Sequence, residues 1–81
     1  MRVRLLFFAS YRDLAGRDSL ELELPSGADA AHAIRLARQS TPALGRLPER
    51  PAIAVNQCYA ALATPLSEGD EVALLPPVAG G

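Results

Sequence analysis

The chain has 81 residues, 49% hydrophobic and 21% charged, which suffices for one soluble globular domain near the lower size at which a core holds without staples. Nine carboxylates against eight arginines leave a net charge of −1, and the arginines are scattered along the chain, so the basic stripe of a nucleic-acid binder is missing. A single cysteine, Cys58, and a single histidine, His32, exclude an internal disulfide and a four-ligand structural zinc site and fit a reducing, cytoplasmic compartment.

The opening stretch, Arg2 to Ala9, sets Val3, Leu5 and Phe7 on one face and Arg2, Arg4, Leu6 and Phe8 on the other, the period-2 signature of a strand. Its apolar run is too short for a signal-peptide core and is followed at once by Tyr11-Arg12-Asp13, so neither a leader nor a membrane partner is expected. Ser10 to Gly16 holds a short helical turn's worth of residues, and Ser19 to Leu24 resumes the alternation, Leu20, Leu22 and Leu24 against Glu21 and Glu23. The two strands form a long-looped hairpin whose outer face pairs Arg2 and Arg4 with Glu21 and Glu23, each pair contributing from a few tenths to about 1 kcal/mol.

Pro25-Ser26-Gly27 ends the hairpin, and Asp29 is placed to cap a helix from about Ala30 to Gln39. Its apolar positions, Ala30, Ala33, Ile34 and Ala37, form one narrow, Ala-rich stripe that lets a helix lie close to a sheet. His32 falls near the polar face without a carboxylate partner in sequence, as a surface helix histidine does, and not as an acid or base. Thr41 to Arg50, with Pro42, Gly45 and Pro48, reads as a loop with one turn around Ala43-Leu44. Ala52 to Val55 is a short strand, Asn56-Gln57 a tight turn, and about Tyr59 to Ala61 a second short strand. Cys58, beside the turn, has no local cation to depress its thiol pKa and is expected to be a half-buried filler. Thr64 to Asp70 is turn chemistry with Leu66 as its core anchor, and Glu71 to Leu75 is the last strand, Val72 and Leu74 inward.

The last strand runs into Pro76-Pro77-Val78-Ala79-Gly80-Gly81. Two prolines cannot donate to a ladder and hold φ near −65°, so the chain leaves the sheet stiff and extended. Past them the side chains taper away, and Gly80 and Gly81 lack a Cβ, so a narrow channel can close around bare backbone. From Pro77 onward five residues in a polyproline-like conformation span about 15 Å. The chain thus divides into a folded domain, 1–76, and a flexible tail, 77–81.

Strand, strand, helix, strand, short strand, strand is the order of an α+β β-grasp, or ubiquitin-like, fold: a mixed sheet of four to five strands with one main helix packed on one face. In that arrangement the first and last strands lie adjacent and parallel, so the tail leaves from a rigid strand. The chain resembles the small, sulfur-carrying subunit family of molybdopterin synthase. The resemblance spans nearly the whole chain and is carried by Leu5-Leu6-Phe7-Phe8-Ala9, Arg12-Asp13-Leu14-Ala15-Gly16, Pro25-Ser26-Gly27, Val55-Asn56-Gln57 and Pro65 to Ala73. Above all it is carried by Leu75-Pro76-Pro77-Val78-Ala79-Gly80-Gly81. Leu74-Leu75 stands where relatives often carry aromatics.

The resemblance implies a covalent co-substrate. The C-terminal carboxylate, ionised and a poor electrophile, is adenylated with ATP by a ubiquitin-activating-like adenylyltransferase. Sulfur then replaces AMP, and Gly81, flanked by Gly80, becomes the thiocarboxylate. The large synthase subunit receives the tail and uses two such sulfurs for each pterin precursor to build the dithiolene. The small subunit supplies no acid or base and binds no cofactor or metal of its own. Phe8, Arg12, Leu75, Pro76, Pro77, Val78 and Ala79 are the implied partner contacts, in an assembly of two large subunits with one small subunit at each end. Sulfur carriage for thiamine, cysteine or thiolated tRNA, a ubiquitin-like protein modifier and a plain interaction domain remain open alternatives. The chain has no lysine, which rules out modifier chains built on itself.

Overall fold

The structure of the chain is a computed structural model that describes residues 1–77. Its sheet has five strands, β1 (Arg2–Phe7), β2 (Ser19–Glu23), β3 (Ala52–Val55), β4 (Cys58–Ala60) and β5 (Glu71–Leu75), in the order β2-β1-β5-β3-β4. β1 and β5 are parallel neighbours, and every other pairing is antiparallel. This is the β-grasp arrangement expected from the sequence. The two terminal strands meet in the interior of the sheet, and the strand that feeds the tail is paired on both edges.

Alternation in β1 decides which face is dry: Val3, Leu5 and Phe7 are at most 1% exposed, and Val72 and Leu74 of β5 are fully buried beside them. The main helix, α2 (Ala30–Ser40), lays Ala30, Ala33, Ile34 and Ala37 on that face. The Asp29 carboxylate caps it, accepting from the His32 backbone N–H at 2.9 Å, one of the four donors a helix start leaves unpaired. On the opposite face Arg2 stands across from Glu23 and Arg4 across from Glu21, with charged contacts of 3.0 and 3.9 Å. The charged pairing is as expected, and the structure adds its register.

Several local expectations are corrected. β1 stops at Phe7, and Ala9–Ala15 forms a true helix, α1, longer than a single turn. Gly16 closes it with φ +70° and donates to the Arg12 carbonyl at 2.9 Å, a left-handed cap that a Cβ disfavours. β4 begins one residue early, and Cys58 on it is exposed, not a half-buried filler: β4 is a short strand at the edge of the sheet. His32 is half-buried. The segment after α2 contains a 3₁₀ turn, Leu44–Arg46, and contributes two core residues, Leu44 and Leu47, each 1% exposed. With alanines facing the sheet from α2, these leucines supply missing volume, about 1.5–3 kcal/mol of burial each. Arg38 fastens them down, donating to the carbonyls of Leu47 (2.7 Å) and Gly45 (3.2 Å). Leu66 anchors its turn at 5% exposure, as expected. Among the described residues no helix is long and apolar enough to cross a membrane.

Candidate functional site

The sheet face away from α2 is divided in two. At the end where β1 and β5 begin, it is charged: Arg2 contacts Glu23, and Arg4 contacts Glu21 and Glu71. At the end where those strands finish, it is apolar. Leu6 stands beside Ala73, Ala73 beside Ala54, and Leu75 beside Ala52. Strand periodicity puts all of them on the outer face, because their neighbours Phe7, Leu74 and Ile53 are buried.

The tail leaves from this apolar end. Phe7–Leu74 is the last parallel pair, so Phe8, just past the end of β1, and Leu75, the last residue of β5, are the first residues beyond it. Phe8 keeps extended dihedrals (φ −126°, ψ 154°), which turns its ring to the face opposite Phe7. It is 49% exposed. The Phe8 carbonyl accepts from the backbone N–H of Tyr11 and Arg12 at 3.0 and 3.3 Å, so Arg12 sits one helical turn from Phe8. The Arg12 side chain is exposed and 3.9 Å from Asp18, a solvent-screened pair of little energetic weight that leaves the guanidinium able to exchange partners. Leu75 is half-buried, Pro76 half-buried and Pro77 exposed.

One exposed side chain here is absent from the sequence-based set. Tyr59 lies opposite Ala54 on the outer face and is 88% exposed. It borders two depressions at the base of the tail. One, of about 560 Å3, runs along Pro48, Pro51, Ala52, Leu75, Pro76 and Pro77; the other, of about 250 Å3, is bounded by Ala54, Gln57 and Leu75. The signal in the sequence was an aromatic immediately after a tight turn, but assigning it a face required the β3–β4 register.

That register is held from the turn. Asn56 and Gln57 both have positive φ, 50° and 73°, the backbone of a two-residue hairpin. Asn56 donates from its amide nitrogen to the Asp70 carboxylate (2.9 Å) and accepts from the Glu71 backbone N–H (3.0 Å). The turn is therefore tied to the start of β5, and Tyr59 is held in line with the strand that carries the tail.

Phe8, Arg12, Leu75, Pro76 and Pro77 are thus gathered at one end of the molecule. The remaining predicted positions, Val78, Ala79, Gly80 and Gly81, lie outside the described residues. Among the described residues no three His, Cys, Asp or Glu side chains group as a metal site would need, and neither Cys58 nor His32 borders the base of the tail. The site offers an apolar platform and an exit path for backbone, the equipment for docking a partner.

Comparison with known proteins gives a consistent result. Residues 5–81 match the ThiS family. The molybdopterin synthase sulfur carrier subunit of Mycobacterium tuberculosis is 37% identical over 82 residues, covering 100% of this chain and 99% of that protein. SAMP1 of Haloferax volcanii, a small archaeal modifier protein, superposes with a TM-score of 0.85 at 28% identity over the full length of both chains. A complex of subunits 1 and 2 of the molybdopterin-converting factor of Helicobacter pylori contains a chain that matches at 30% identity, TM-score 0.68, again over both full lengths.

Proposed function

The chain belongs to the ThiS family, and from that premise we propose that it is the sulfur carrier subunit of a molybdopterin synthase. The observation that carries the reading is the placement of the apolar platform, with Phe8, Tyr59 and Leu75, at the point where a doubly paired strand hands over to Pro76-Pro77 and the Gly-Gly end. Full-length similarity to a curated sulfur carrier, and to a chain solved in complex with a second converting-factor subunit, supports it.

In this reading the domain 1–76 is the handle and 77–81 the working arm. An activating adenylyltransferase joins the Gly81 carboxylate to the α-phosphate of ATP and releases pyrophosphate. The resulting acyl carbon accepts sulfur from a donor and expels AMP, leaving a thiocarboxylate. Its sulfur is the nucleophile presented to the pterin precursor inside the large subunit. This chain's part is positional. The platform docks the partner, the prolines set the direction of the arm, and Gly80 and Gly81 pass through a channel too narrow for side chains. Partners replace one another on the same platform, so each must bind reversibly.

Intact mass after incubation with the activating enzyme, ATP and a sulfur source tests the reading. The expected result is a gain of about 16 Da, the difference between sulfur and oxygen, abolished by deletion of Gly81. Normal activation of the shortened chain would exclude carriage on Gly81. The likeness to SAMP1 favours one second reading, conjugation to lysines of other proteins. A mass increase of a target protein by that of the whole chain, in place of the 16 Da gain, would select it.

A further inference from the structure

The formal charge of −1 conceals a division. Residues 30–67 contain four arginines, Arg35, Arg38, Arg46 and Arg50, and one carboxylate, Glu49, a local net charge of +3; the rest of the chain carries −4. The fold brings three of these arginines to one place. Arg35 and Arg38 on α2 and Arg50 ahead of β3 border a cleft of about 220 Å3 that Ala31, Ile34, Leu62 and one carboxylate, Glu49, also line. Arg38 is committed to structure: it holds the Leu47 and Gly45 carbonyls and pairs with Glu49 at 3.2 Å. Those bonds fix the 45–49 segment against the helix, so the cleft is preformed. Arg35 and Arg50 are exposed and join no ion pair among the described residues.

Arg50 also borders the groove beneath Pro76 and Pro77. The basic cleft and the base of the tail are therefore neighbours, with one guanidinium between them. A protein that grips the tail base is led toward the cleft, and two unpaired guanidiniums beside apolar surface suit carboxylates carried on a peptide. We infer that Arg35 and Arg50 form a secondary docking cleft for an acidic segment of the large synthase subunit, distinct from the apolar platform on the other face of the sheet. The identity of that partner rests on the synthase reading; the acidic chemistry rests on the cleft. Its contribution is electrostatic guidance, which raises the association rate and fixes orientation.

The experiment is calorimetric titration of the chain with the large subunit from the same source, at about 50 mM and about 500 mM salt. The double variant Arg35→Glu/Arg50→Glu is expected to bind about tenfold more weakly at low salt and nearly as well as the unaltered chain at high salt, with an unchanged melting curve because both side chains are exposed. Arg35→Lys/Arg50→Lys should retain most of the affinity. Equal binding by the charge-reversed and unaltered chains overturns the inference while leaving the synthase reading intact, and so does a loss that is the same at both salt concentrations. Failure of the unaltered chain to bind overturns both. Binding of an RNA oligonucleotide, lost in the charge-reversed variant while large-subunit affinity stays the same, would assign the cleft to nucleic acid and overturn the inference.

Discussion

Phe8 has two duties that its side chain keeps apart. Its carbonyl starts α1, and its ring, 49% exposed, faces away from the core. Phe8→Asp therefore preserves the backbone acceptor and leaves the fold intact, while placing a charge on the apolar platform proposed to dock a partner. Association with the large subunit is expected to weaken by about tenfold or more, about 1.4 kcal/mol, measured by calorimetry. Tyr59 is the stronger test of the structure itself. At 88% exposure its ring contributes little to folding, so Tyr59→Ala should leave the melting temperature nearly unchanged. If the ring is buried by a partner, its loss costs about 1–3 kcal/mol of binding; an unchanged affinity would confine docking to the Phe8–Leu75 side of the platform.

At the scale of elements, α2 owes its position to a narrow stripe of small residues and its start to Asp29. Loss of the cap by Asp29→Ala leaves the His32 backbone N–H without its partner and is expected to cost about 1 kcal/mol in a denaturant titration. Sulfur loading should be unaffected, because α2 lies on the face opposite the platform. β5 behaves otherwise. Leu74 is fully buried between β1 and β3, and Leu74→Ala is expected to cost about 2–5 kcal/mol. In so small a domain that is enough to reduce both folding and loading, whereas the exposed platform residues separate the two.

For the molecule as a whole, the parallel β1–β5 pairing joins residues 67 positions apart, as in Arg4 with Glu71. The sheet cannot close until the last strand is in place. A chain ending at Asp70 loses the strand between β1 and β3 and is expected to be unfolded by far-ultraviolet circular dichroism. A chain lacking only Gly81 should fold as the full one does. The first truncation removes an interior strand of the sheet, the second only the residue proposed to carry sulfur.

How much of this was legible without coordinates follows from where each signal resides. Alternation in Arg2–Phe7 and Glu71–Leu75, the Asp29 cap, the Ala30-Ala33-Ile34-Ala37 stripe and the proline-glycine end are local patterns, and local physics reads them directly. Element order then determined the β-grasp, and the family resemblance, carried above all by the last seven residues, implied sulfur carriage. Other features depend on partners distant in sequence. Cys58 was misjudged because burial on an edge strand depends on whether another layer covers it. Tyr59 was missed because its face is assigned by the register with Ala54, and Leu44 and Leu47 because a proline-broken stretch has no periodicity to betray its buried positions. The cleft of Arg35 and Arg50 was invisible because charges scattered along a chain become neighbours only when a helix and a loop are packed together. The sequence by itself determined the strands, the main helix and their order; only the tertiary structure decided which surface surrounds Pro76 and Pro77, because surfaces are made by long-range packing.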